Sequence, residues 1–155
     1  MSKKLYVMDA CAFIEAAHNY NMIKKSFSHI WSTLEALIDK GFLISSTEVL
    51  DELKDDDLKQ WARNHRECFF DLTQDIQEKA SEILDRFPNL IKLRSSSNSN
   101  ADPFLIATAV IHNGCVVTNE RLGDENTKDY RIPNVCRALG IPYMNLRDFL
   151  DEVLE

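Results

Sequence analysis

What these 155 residues lack narrows the field first. No apolar run approaches the roughly 18 residues of a membrane-spanning helix. Lys3 and Lys4 imitate the start of a secretory leader, but Asp9 cuts the following apolar run short, so a cytoplasmic protein is expected. There is no basic excess: 18 Lys and Arg face 25 Asp and Glu, a formal net charge of −7. That excludes a protein that coats nucleic acid through a general basic surface, while leaving room for local contact. The four cysteines, Cys11, Cys68, Cys115 and Cys136, form no CxxC pair and no zinc-finger cluster with histidine. They read as reduced thiols, with Cys68 before "FF" and Cys115 in "CVVT" as small buried hydrophobes. His18, His29, His65 and His112 show no HxxxH spacing and read as structural or surface residues. Neither the GxSxG of a nucleophile elbow nor the GxxxxGK[ST] of a phosphate-binding loop occurs.

What is present fits one compact domain over residues 1–155, with 45% hydrophobic and 28% charged residues. Short apolar runs at 5–8, 42–44, 115–117 and 143–145 have the length of strands buried on both faces. Helical patterns lie between them. Ile23, Phe27, Ile30, Trp31, Leu34, Leu37 and Ile38 form a stripe that stops at Gly41. From Leu58 to Phe87 apolar residues recur every three or four positions, as on a long helix, with Asp71 or Thr73 placed to cap a second segment within it. Trp31 and Trp61 fall on apolar faces and belong to the core. After Pro88 the tract "SSSNSN" predicts a loop, "DPFLIATAVIHN" a helix ending before Gly114, and "LRDFLDEVLE" a last amphipathic helix. Alternating strands and helices predict an α/β fold with a mainly parallel sheet and right-handed crossovers.

In such sheets ligands bind outside the carboxyl ends of the strands. Asp9 follows "LYVM" at that edge, and "TNE", with Thr118 and Glu120, follows "CVV" in the same way. Ser45 and Glu48 have capping-box spacing at the start of the helix after the second strand. Glu52 lies one turn beyond Glu48, between Val49 and Leu53, where like charges repel unless a cation or solvent relieves them. Asp102 and Pro103 fit the N-cap and first position of a helix. The start of that helix could fall at the strand ends or at the opposite edge.

Taken in order, "YVMDACAFI", "STEVLDEL", "ADPFLIATA" and "VVTNE" resemble the four acidic motifs of PIN-domain nucleases, across nearly the whole chain. The likeness is greatest to small single-domain prokaryotic members, the class that includes VapC-like toxins. The resemblance implies a three-layer α/β/α sandwich and a site of Asp9, Glu52, Asp102 and Glu120 that holds Mg²⁺ or Mn²⁺, with Thr118 as the hydroxyl residue two positions before the fourth acid. Hard divalent cations prefer oxygen ligands, and a metal-bound water can hydrolyse a phosphodiester without a protein nucleophile. The implied activity is metal-dependent RNA hydrolysis by the toxin of a toxin–antitoxin pair. An antitoxin protein is the implied partner and a homodimer a further expectation.

Two departures stand out. The family's first motif usually runs Asp, Thr or Ser, Asn, whereas this chain has Asp9, Ala10, Cys11. Its fourth usually ends in Asp, where Glu120 is one methylene longer. These departures motivate an alternative, a catalytically weak PIN-fold module that binds RNA or protein. Lys92, Arg94, Arg121, Lys128 and Arg131 are candidate phosphate contacts, though Asp124, Glu125 and Asp129 are interleaved with the last three. A haloacid-type phosphohydrolase is excluded because Cys11 stands where its second aspartate belongs.

Overall fold

A computed structural model describes residues 4–90 and 101–154. Asp9 ends β1 (Tyr6–Met8) and opens α1 (Ala10–Asn19), and the chain continues through α2 (Ser28–Asp39) to β2 (Leu43–Ser46). Next come α3 (Thr47–Leu50), α4 (Asp56–Asn64), β3 (Phe69–Phe70) and α5 (Gln74–Arg86). After these lie α6 (Asp102–His112), β4 (Cys115–Val117), α7 (Ile132–Leu139), β5 (Tyr143–Met144) and α8 (Leu146–Val153). The strands form one sheet in the order β3-β2-β1-β4-β5, every pairing parallel. The chain winds one way from β1 to β3, then returns to place β4 on the other side of β1. The crevice between β1 and β4 is therefore the topological switch point, where open α/β sheets bind their ligands.

Helices cover both faces, completing the α/β/α sandwich. α6, the most apolar helix, packs across β1, β2 and β4 with α5 and α7 beside it; α1 packs with α4 and α8. Phe13, Leu34 and Phe149 are fully buried, each contributing about 1.5–3 kcal/mol of hydrophobic stabilisation. Only two residues, Asn113 and Gly114, separate α6 from β4, so α6 runs antiparallel to that strand. Asn113 takes the left-handed conformation, and a Cβ on Gly114 would meet Val7 Cγ2 at 2.7 Å. The close approach of this turn to β1 requires glycine.

The long helix expected over 58–87 is two helices with a strand between them. Apolar spacing continues through the break, but α4 ends at Asn64, and Phe69 and Phe70 pair with Ser45 and Ser46 as the edge strand β3. Thr73 is the N-cap residue of α5, one of the two positions expected to start a second segment. The stripe from Ile23 is shorter than expected: α2 starts at Ser28, and Ile23 is 72% exposed. α7 carries Pro133 in its first turn and had no counterpart among the expected helices. Trp31 and Trp61 are core residues, as are Cys68, Cys115 and Cys136, and all four cysteines are free thiols. The "SSSNSN" loop, Lys92 and Arg94 lie outside the described residues.

Candidate functional site

Asp9 is fixed at the switch point by its backbone before its side chain is considered. Its N–H donates to Val117 O at 2.9 Å, and its C=O accepts from Ala12 and Phe13 at 3.1 and 3.2 Å, opening α1. The carboxylate is buried. Asp9 Oδ2 accepts from the Thr118 hydroxyl at 2.7 Å and from the Cys11 thiol at 2.9 Å. Cys11 Sγ lies 3.4 Å from Thr118 Oγ1 and accepts from the Asn119 N–H at 3.3 Å. The Glu120 N–H donates to Thr118 Oγ1 at 3.1 Å. The first and fourth motifs are thereby joined through one carboxylate, one hydroxyl and one thiol. Thr118 reaches Asp9 through its hydroxyl and Glu120 joins only through its backbone N–H to Thr118, while Cys11, noted in the sequence only as a departure, supplies a donor.

Burial sets the electrostatics of the cluster. Desolvation pushes the Asp9 carboxyl above the usual carboxylate range, against the pull of hydrogen bonds from Cys11, Thr118 and the Ala10 and Cys11 backbone. The Cys11 thiol is pushed well above the ordinary thiol range by burial and by the negative charge and hydrogen bond of Asp9. It is a neutral donor, not a reactive thiolate. Behind the rim, burial pushes Cys136 up to about 12, with smaller contributions from Cys115, Asp9 and Glu120.

The other acids reach the same edge by different routes. Because α6 runs antiparallel to β4, its first residue, Asp102, lies toward the carboxyl ends of the strands and is buried. This settles the edge the sequence left open. Capping is not its role, since Ala101 holds the N-cap position and Asp102 is the first helical residue, favourably placed in the helix dipole. Nor does Ser45 cap α3. It donates to Met8 O at 2.6 Å and ties β2 to the end of β1, while Ser46 is the N-cap residue, accepting from the Glu48 N–H at 3.3 Å. α3 is a single turn, so Glu52 sits beyond its end, half-buried, with its N–H donating to Val49 O at 3.0 Å. Glu48 and Glu52 therefore do not share a helical face. α3 packs against α6.

Asp9 and Glu120 follow β1 and β4, Asp102 begins α6 and Glu52 lies just beyond α3, and all four are oxygen donors of the kind Mg²⁺ and Mn²⁺ prefer. Among the described residues, however, no three His, Cys, Asp or Glu side chains stand close enough to hold a metal ion between them. The donor chemistry fits a hard divalent cation; full convergence on an ion would need side-chain rearrangement.

The flanking cations divide. Arg131 is committed to Asp129 at 2.9 Å, in a loop organised by buried Asn134, whose Oδ1 accepts from the Gly123 and Arg131 N–H groups at 2.8 and 3.0 Å. Lys128 is exposed in the left-handed conformation. Arg121 is exposed and, among the described residues, makes no ion pair. The sequence offered no signal for Asn119, whose side chain accepts from the Leu146 N–H at 2.9 Å and so ties the fourth motif to α8. His65 bonds Trp61 O at 2.8 Å and His112 packs edge-on to Phe70, consistent with structural roles.

A parallel sheet of order β3-β2-β1-β4-β5 with helices on both faces makes this a doubly wound α/β/α domain. The family model described as "Domain of unknown function (DUF4411)" matches residues 6–154, and the chain belongs to that PIN-like family. Among solved structures, it is similar to a chain of the crystal structure of VapBC2 from Rickettsia felis bound to a DNA fragment from their promoter. That match has 18% identity, a TM-score of 0.49 and coverage of 91% of this chain and 98% of the other. No curated protein matches. No helix among the described residues is long and apolar enough to cross a membrane.

Proposed function

We propose that this chain is a metal-dependent ribonuclease acting in the cytoplasm, and that it is the toxin of a toxin–antitoxin pair. The observation that supports the reading best is the buried Asp9 carboxylate at the β1/β4 switch point. It is held by Thr118 and Cys11, with Glu52, Asp102 and Glu120 on elements meeting the same rim. A buried carboxylate carries a desolvation penalty, and such groups concentrate at functional sites. The toxin assignment and its antitoxin partner rest on the motif resemblance to small prokaryotic PIN-domain proteins.

Asp9, Asp102, Glu52 and Glu120 would hold Mg²⁺ or Mn²⁺, which when bound supplies an activated water and offsets charge on the phosphoryl oxygens. The chain's own contribution is positioning. Thr118 and Cys11 fix the orientation of Asp9, and the Thr118 hydroxyl, accepting from the Glu120 N–H, also anchors the backbone of the fourth acid. The raised thiol of Cys11 keeps its proton, so it supplies a donor without adding a second negative charge beside Asp9.

The test is cleavage of single-stranded RNA by purified protein with Mn²⁺, with EDTA, and with Asp9→Asn and Asp102→Asn. Activity that survives both substitutions removes the reading. The second reading, a binding module with weak catalysis, is favoured by the absence of three closely spaced ligands among the described residues. Thermal-shift titration separates the two. An ion bound only by the folded state raises the unfolding temperature with the logarithm of its concentration, so no response to Mn²⁺ or Mg²⁺ favours the module.

A further inference from the structure

An open cavity of about 580 Å³ lies beside the rim on the β4/β5 side, and its wall includes Glu120 itself. Its volume falls within the range of about 300–1,000 Å³ typical of ligand sites. Glu120 and Arg121 come from the segment after β4, Asn145 and Arg147 from the start of α8, and Glu15, Asn19 and Tyr20 from α1 and its end, so two carboxylates and two guanidinium groups line the cavity.

Most of this wall is fixed. Asn119, also in the lining, is held by the Leu146 N–H. Asn145 caps α8 by accepting from the Asp148 N–H at 2.8 Å, and Asn19 donates to Glu15 at 2.8 Å. The Tyr20 ring stands edge-on to Phe27, with centroids 5.6 Å apart. The two arginines differ from the rest. Both are exposed, and among the described residues neither makes an ion pair, in a chain whose net charge is −7. Two guanidinium groups with no ion pair among the described residues, next to a rim acid, suit a doubly contacted phosphate. An amide-rich wall and one aromatic ring suit a nucleotide attached to it.

We propose that this cavity is a phosphate subsite of the substrate groove. It takes a phosphodiester of single-stranded RNA next to the scissile bond, with Arg121 and Arg147 as its two cations. The subsite deepens the ribonuclease reading and rests on it for the identity of the strand, but its test needs neither metal nor turnover.

The experiment measures anisotropy of a labelled ten-nucleotide single-stranded RNA in EDTA, over a series of salt concentrations. It compares wild type, the double variant Arg121→Gln/Arg147→Gln, and the control Lys40→Gln/Arg137→Gln. The control removes the same charge from residues near the amino edge of the sheet, since α2 and α7 each end just before a strand begins. The expected result for Arg121→Gln/Arg147→Gln is affinity about 10-fold or more below the control. Its salt slope should be lower by roughly 0.7, the value for the one single-strand phosphate that the protein no longer neutralises. Circular dichroism confirms that both variants fold. Equal loss in both doubles, no change in the arginine double, or no binding by wild type overturns the subsite. Asp9→Asn keeps its binding in this assay and loses cleavage in the separate Mn²⁺ assay. Failure of the subsite is thereby distinguished from failure of the nuclease reading, which is judged on cleavage alone.

Discussion

Strand β1 carries a hydroxyl–carboxylate pair at each end. At its carboxyl end Thr118 donates to the buried Asp9. At its amino end the Tyr6 hydroxyl donates to Glu152, a residue of α8 that Lys4 also reaches at 3.2 Å. The bonding is alike, but the acids are shifted in opposite directions. Desolvation raises Asp9 despite its donors, whereas the hydrogen bond from Tyr6, helped by Lys4, lowers Glu152, whose side chain is 43% exposed. Burial, not the hydroxyl, decides the sign. One pair stabilises the fold, and the other holds a buried carboxylate that weakens it at neutral pH.

The largest test breaks the buried pair. Asp9→Asn should lower Mn²⁺-supported RNA cleavage by about 1,000-fold, several kcal/mol of transition-state stabilisation. In EDTA it should raise the unfolding temperature at pH 8 by roughly 3 °C, equivalent to ~1 kcal/mol in a chain of this size. The folded Asp9 carboxyl is raised, so the folded state holds its proton longer than the unfolded state does. Its contribution is most favourable below the ordinary Asp range and is lost as pH rises through the window between the ordinary and the raised value. The stability advantage of Asp9→Asn should therefore shrink as pH falls. Equal unfolding temperatures for the two proteins at pH 8 would mean the carboxylate carries no net penalty.

Thr118→Val should come next, with cleavage reduced about 10- to 100-fold, because a donor that orients a proposed metal ligand is lost while the side-chain volume is kept. Cys11→Ala should cost less, about 1 kcal/mol in denaturant unfolding and roughly 10-fold in rate, with Cys11→Ser restoring most of both. If Cys11→Ala matched wild type in rate, the thiol would be a spectator, and the departure at this position would lose its functional meaning.

The contrast between the two ends also shows what the sequence could carry. The placement of Asp9, Thr118 and Glu120 just beyond β1 and β4 was legible because strand-then-acid is a local pattern, and the strand runs at 5–8 and 115–117 lie within a residue of the observed strands. The edge on which Asp102 lies was not local. It depends on α6 reversing through Asn113 and Gly114, which only the packed structure fixes. The strand β3 hid because Phe69 and Phe70 continue the helical spacing of their neighbours, and pairing with Ser45 and Ser46 overrides it. Ser45 was assigned to capping by spacing, yet the hydroxyl one residue later caps α3, a register that sequence pattern resolves poorly. The Arg147 side of the rim had no motif at all. It lies beside the fourth motif only because the parallel pairing of β4 with β5 sets the start of α8 there.

The smallest effect belongs to the amino end. Glu152→Gln should leave RNA cleavage unchanged and lower stability at pH 7 by only about 0.5 kcal/mol, since solvent screens an acid this exposed. The sign is opposite to that at Asp9. The folded Glu152 carboxyl lies below its unfolded value, so its contribution is present above the ordinary Glu range and is lost as pH falls through the lowered value. Urea midpoints for wild type and Glu152→Gln should therefore converge on acidification, while those for wild type and Asp9→Asn in EDTA also converge, but from the other side. A loss of cleavage in Glu152→Gln as large as that of Thr118→Val would show that α8 transmits strain from its C-terminal half to Asn119 through Leu146. The two ends of β1 would then be one coupled device instead of a structural anchor and a chemical site.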